Sequence, residues 1–119
     1  MQRQFLLALL LGALATFSVA EPADKVLARW SDGWYVGTVV KKVADGLQVV
    51  FDDGDEAVLP ASGIRPLDWA AGTRVQCNFK GAGIYYWGVI EERGGVRLSI
   101  LYDDGDREVT ILGRCRVPF

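Results

Sequence analysis

The chain has 119 residues, with 13 lysines and arginines against 15 aspartates and glutamates, no histidine, and a formal net charge of −2. That length holds one ordinary domain or two very small ones. The mildly acidic balance argues against a general phosphate-backbone binder, and the lack of histidine removes the commonest general base and the commonest metal ligand.

The first 20 residues read as a secretory signal peptide. Met1-Gln2-Arg3-Gln4 carries one positive charge, Phe5 to Val19 is almost wholly apolar, and Ser18-Val19-Ala20 puts small residues where a signal peptidase reads. Cleavage after Ala20 would leave a periplasmic or secreted chain with no membrane span. An uncleaved anchor is the alternative, although the apolar run is short for a span of about 20 residues. The two cysteines, Cys77 and Cys115, would meet an oxidising compartment, where an even count suggests a bridge. Two buried thiols are the other reading.

From Lys25 the chain alternates. Val26, Ala28 and Trp30 share one face of a first strand, and Ser31-Asp32-Gly33 turns. Trp34 to Val43 reads as a long strand with Gly37 inside it, where a glycine marks a bend or a close backbone approach. Ala44-Asp45-Gly46 turns back into Leu47 to Phe51. Asp52-Asp53-Gly54-Asp55 makes a hairpin into Glu56 to Leu59. Pro60 to Gly63 fits one turn of 3₁₀ helix, and Ile64 to Leu67 a short fifth strand.

The order then returns. Arg74 to Phe79 alternates, with Val75, Cys77 and Phe79 inward, and Lys80 to Gly83 turns. Ile84 to Arg93 is the long strand, with Gly88 matching Gly37. Val96 to Tyr102, the acidic hairpin, Glu108 to Ile111, Leu112-Gly113-Arg114 and Cys115 to Val117 complete the copy. Phe51-Asp52-Asp53-Gly54-Asp55 and Tyr102-Asp103-Asp104-Gly105-Asp106 lie 51 residues apart, so the chain is an internal duplication. Short strands with frequent turns and no sustained helical period give an all-β fold of two small curled antiparallel barrels. Units this small are marginal alone, so the linker Asp68 to Gly72 should pack them together with Trp69 between them.

The runs Val26-Leu27-Ala28-Arg29-Trp30, Trp34-Tyr35-Val36-Gly37-Thr38-Val39, Val50-Phe51-Asp52-Asp53-Gly54 and Ile64-Arg65-Pro66-Leu67 resemble a Tudor domain, closest to tandem Tudor modules. The resemblance covers residues 23–68 and, more loosely, 71–119. It implies two tandem five-stranded SH3-like (Tudor-like) barrels, residues 21–68 and 69–119, after the signal peptide 1–20. It also implies an aromatic cage for a methylated cationic group, carried onto Trp30, Tyr35, Phe51 and Asp53, and onto Phe79, Tyr86, Tyr102 and Asp104. Ring faces carry negative potential that attracts a cation, and a carboxylate at the rim adds charge complementarity. On this reading repeat one, with its tryptophan, is the stronger site. The sequence departs from the family where a further aromatic often stands, at Asp55 and Asp106.

The expected function is thus a non-enzymatic binding module for a peptide or protein partner bearing a cationic group, with no cofactor, no metal and no nucleic acid. Two other readings stand beside it. One is a structural domain of the cell envelope that contacts protein or peptidoglycan and uses these aromatics as core; the other is nucleic-acid binding, which the charge disfavours. The acidic hairpins lack the spacing of a calcium loop. The serines have no visible base, so catalysis is not expected.

Overall fold

A computed structural model describes residues 25–119. The expected signal peptide, residues 1–20, lies outside the described residues. Ten strands follow in chain order. In the first repeat they are β1 (Lys25–Trp30), β2 (Gly33–Val43), β3 (Gly46–Phe51), β4 (Glu56–Leu59) and β5 (Ile64–Pro66). In the second they are β6 (Arg74–Asn78), β7 (Tyr85–Gly94), β8 (Arg97–Tyr102), β9 (Arg107–Ile111) and β10 (Cys115–Pro118). Turns of 3₁₀ helix at Ala61–Gly63 and Leu112–Arg114 precede the last strand of each repeat, and a third lies at Phe79–Gly81. The fold is therefore all-β, a curled antiparallel sheet.

The two acidic hairpins share the same hydrogen bonds. The Phe51 N–H donates to Asp55 O and the Gly54 N–H to Phe51 O; the Tyr102 N–H donates to Asp106 O and the Gly105 N–H to Tyr102 O. Gly54 and Gly105 sit at φ +99° and +95°, a conformation that explains glycine at the tip of each turn. Both long strands carry a bulge, between Val39 and Lys41 and between Ile90 and Glu92. Gly37 and Gly88 mark close backbone approaches, as their place inside a strand suggests. A Cβ on Gly37 would lie 2.8 Å from Val49 Cγ1, and one on Gly88 2.8 Å from the Leu101 carbonyl oxygen.

Within each repeat the strands pair in one order, β5-β1-β2-β3-β4 and β10-β6-β7-β8-β9. The repeats are then joined edge to edge, because β10 also pairs with the start of β2. Gly33 makes this seam possible, since a Cβ there would lie 2.6 Å from the Val117 carbonyl oxygen. The matching position in repeat two is Ile84, which is 57% exposed and carries the bulk that Gly33 lacks.

The seam reverses the curl of the sheet. Ala28, Tyr35, Arg116 and Gln76 lie in register across four neighbouring strands, so their side chains share one side. Ala28 faces the small core of repeat one, with Val49 and Phe51. Gln76 is the neighbour of the inward-facing Cys77, so it stands on the outside of repeat two. The inner face of one repeat thus continues as the outer face of the other.

That reversal explains a burial pattern that alternation alone does not foresee. Leu27 and Ala28 are adjacent, yet both are fully buried. Ala28 serves its own repeat. Leu27 and Val36, on the outer side of repeat one, join Val75, Ile90 and Leu98 of repeat two in one core. Trp69, 3% exposed, belongs to that same core, between groups of both repeats. The linker is pinned by its own bonds: the Gly72 N–H donates to Ile90 O, and the Arg93 guanidinium donates to Trp69 O at 3.1 Å.

Cys77 and Cys115 form a disulfide. They face each other in register across β6 and β10, where repeat one pairs Ala28 with Ile64.

Candidate functional site

The second-repeat residues of the expected cage come together. Phe79 follows the end of β6, Tyr86 lies at the start of β7 and Tyr102 ends β8, so three strand ends converge on one rim. The Phe79 and Tyr102 centroids are 5.4 Å apart at 87°, Phe79 and Tyr86 6.2 Å at 86°, and Tyr86 and Tyr102 6.5 Å at 84°. Rings held nearly perpendicular at these separations pack edge to face, and the three together form one ring box. Tyr86 is 48% exposed and forms the open wall, while Tyr102 is buried. The Lys80 ammonium already lies 5.3 Å from the Phe79 centroid, which places positive charge beside this wall.

Glu108 holds the buried wall in place, and the sequence reading passed it over. The Tyr102 hydroxyl donates to Glu108 Oε1 at 2.6 Å, and the Lys80 N–H donates to Glu108 Oε2 at 2.8 Å. Glu108 registers with the inward-facing Ile100, whereas repeat one has Ala57 opposite Val49. An acid in the inward register of a strand was the signal available in the sequence.

Repeat one is arranged differently. Trp30 and Phe51 meet at 5.3 Å with a 51° tilt, Trp30 at the surface and Phe51 buried in the small core. Tyr35 packs against that core, but its hydroxyl is committed to the seam between repeats. It donates to Asp32 Oδ1 at 2.7 Å and accepts from Arg116 Nη1 at 2.8 Å. Arg116 in turn stacks 3.7 Å from the Tyr85 centroid and donates to Gln76 Oε1. Trp34, beside Tyr35, is covered by Arg65 and Arg29, at 4.2 and 5.7 Å from its ring.

The expected cage carboxylates each cap their own turn. Asp53 Oδ1 accepts from the Asp55 N–H at 3.0 Å, and Asp104 Oδ1 from the Asp106 N–H at 2.9 Å. Their neighbours are ion-paired, Asp52 with Lys25 at 2.7 Å and Asp103 with Arg74 at 2.6 Å.

Several groups titrate away from their ordinary values. The hydrogen bond from Tyr35, and then the charge of Arg116, holds the Asp32 carboxyl low. Burial, and then the bond to Asp32, raises the Tyr35 hydroxyl. Burial and the Glu108 carboxylate raise Tyr102 strongly. A tyrosine whose pKa is higher folded than unfolded contributes stability below its unfolded pKa, and that contribution is lost as pH rises toward the folded pKa. The midpoint of thermal unfolding is therefore expected to fall once pH exceeds about 10, the ordinary tyrosine value. Thermal scans on either side of that pH check this, and Tyr102→Phe should make the fall shallower.

Among the described residues no three acidic or sulfur-bearing side chains gather to hold a metal ion, and no helix is long and apolar enough to cross a membrane. No family model matches the chain, and no curated protein matches it either.

Proposed function

We propose that the chain is an exported, non-enzymatic binding module of two tandem five-stranded SH3-like (Tudor-like) barrels, residues 21–68 and 69–119 after a signal peptide, and that its second repeat binds a bulky, weakly hydrated cation on a peptide or protein partner. The observation that carries this reading is the perpendicular three-ring arrangement of Phe79, Tyr86 and Tyr102. Methylation of an ammonium lowers the cost of stripping its water and keeps its charge for the rings, so trimethyllysine or a quaternary amine suits the box better than bare lysine. The ranking of the repeats reverses the one read from sequence. Among the described residues Tyr35 makes no ring pair with Trp30 or Phe51, which leaves repeat one with two paired rings and no third wall.

Export is supported by the disulfide, which persists in oxidising compartments. The partner is then a protein of the envelope or exterior that displays a cationic side chain.

The test is a titration of the mature protein with trimethyllysine and unmodified lysine peptides. Trimethyllysine should bind at roughly micromolar to millimolar Kd, given about 1 kcal/mol per ring. Tyr86→Ala should abolish the response and Tyr35→Ala leave it. Equal binding of both peptides, or a response indifferent to Tyr86, favours the structural reading, in which Tyr102 and Phe51, each 3% exposed, serve as core.

A further inference from the structure

A second surface carries the opposite chemistry. The 3₁₀ turn at Leu112–Arg114 rests against the hairpin of repeat one so closely that a Cβ on Gly113 would lie 2.8 Å from Asp52 Cβ. A cleft of about 500 Å³ opens beside this contact, lined by side chains that include Val40, Val50, Val96, Ile111 and Leu112. A further depression of about 340 Å³ lies on the outer side of β8 and β9, lined by Arg97, Val109, Thr110, Ile111 and Arg114. The two share Ile111, so a groove through both would draw on each repeat. Cleft volumes of this order, about 300–1,000 Å³, suit small-molecule ligands.

The walls are apolar and open to solvent. Val40 is 49% exposed, Val96 52%, Ile111 49% and Val109 60%. Four branched side chains left in water on the linings of two clefts that share Ile111 are the kind of apolar surface that marks interaction sites. Charge gives the groove a direction. At the cleft end Lys25 is neutralised by Asp52. At the other end, among the described residues, neither Arg97 nor Arg114 forms an ion pair, whereas Arg74, Arg107 and Arg116 do and the other unpaired arginines, Arg29, Arg65 and Arg93, lie over rings or donate to backbone carbonyls. The Arg114 guanidinium is positioned over Gly81, where a Cβ would come within 3.1 Å of its carbon.

We infer that this groove binds a single long-chain fatty acid. The carboxylate is held between Arg97 and Arg114, whose planar forks match its two oxygens. The acyl chain runs past Val109 and Ile111 into the cleft beside Val96 and Val40. Its arginine end reaches Gly81, in the same turn as Phe79 of the ring box, but it takes an anion where the box takes a cation, so either can fail without the other.

The experiment is calorimetry and amide chemical-shift mapping with dodecanoate, and with dodecyl maltoside as the uncharged control, each below its micelle threshold. Dodecanoate should bind, shift the amides of Val96 and Ile111, and leave Tyr86 unmoved. Arg97→Gln with Arg114→Gln should weaken it at least about tenfold, the loss expected when two charge-assisted contacts go. Val96→Asp should block it with both arginines kept. Equal binding of the maltoside, dodecanoate binding unchanged in the double variant, or retention only on phosphatidylglycerol vesicles would overturn the inference. If the double variant does not fold, the comparison of dodecanoate with the maltoside on the unaltered protein decides.

Discussion

Replacing Trp69 with alanine is expected to cost the whole structure about 3–5 kcal/mol, the usual range for emptying a large buried aromatic site. The residue is 3% exposed and packs in a core drawn from both repeats. Its loss opens a cavity that neither repeat can close alone, because the core it belongs to draws Leu27 and Val36 from one and Val75 and Ile90 from the other. A domain of this size has about 5–15 kcal/mol in all, so the change removes a large share. The expected result is one unfolding transition at a much lower temperature, not two. Emission should also change, since Trp69 is the most buried of the four tryptophans. Two separated transitions, or a midpoint close to that of the unaltered chain, would mean that the repeats are stable apart.

The disulfide should have an effect of similar size. Cys77 and Cys115 are 38 residues apart, and closing a loop of that length contributes about 4 kcal/mol in the chain-entropy model. Repeat one supplies a control, because it holds Ala28 and Ile64 at the paired positions. Cys77→Ala with Cys115→Ala should lose the crosslink and also leave a void. Cys77→Ala with Cys115→Ile recreates the pair of repeat one and should recover the packing part alone. Urea unfolding of the two variants beside the oxidised protein separates the terms. Identical midpoints for both variants would show that repeat two cannot accept the packing of repeat one.

Much of the fold was legible because period-2 alternation and Asp-Gly turns act locally. The strand order, the hairpins and the tight glycines Gly37 and Gly88 follow from those signals. The pairing of Cys77 with Cys115 was legible for a different reason: a five-stranded unit of this kind sets its last strand beside its first. What the sequence did not disclose is the seam. Nothing local says that β10 pairs with β2, since that contact joins residues about eighty positions apart, and its one requirement is a glycine at position 33. From the seam follow the burial of Leu27 on the supposed outer face and the diversion of Tyr35 to Asp32 and Arg116. The resemblance implied a cage of aromatic residues in each repeat, but it could not show that the Tyr35 hydroxyl would be engaged in holding the repeats together. Glu108 was missed because strand positions were read for apolar alternation, and an inward acid looks like a surface residue until its partner Tyr102 is placed.

Phe79, Tyr86 and Tyr102 are proposed to face one cation together. The most direct measurement is a search for intermolecular nuclear Overhauser contacts between the methyl protons of tetramethylammonium and ring protons of the mature protein. Contacts to all three rings, absent from the Trp30 and Phe51 pair, are the predicted result. Contacts to Tyr86 alone, or to the rings of repeat one, would contradict it.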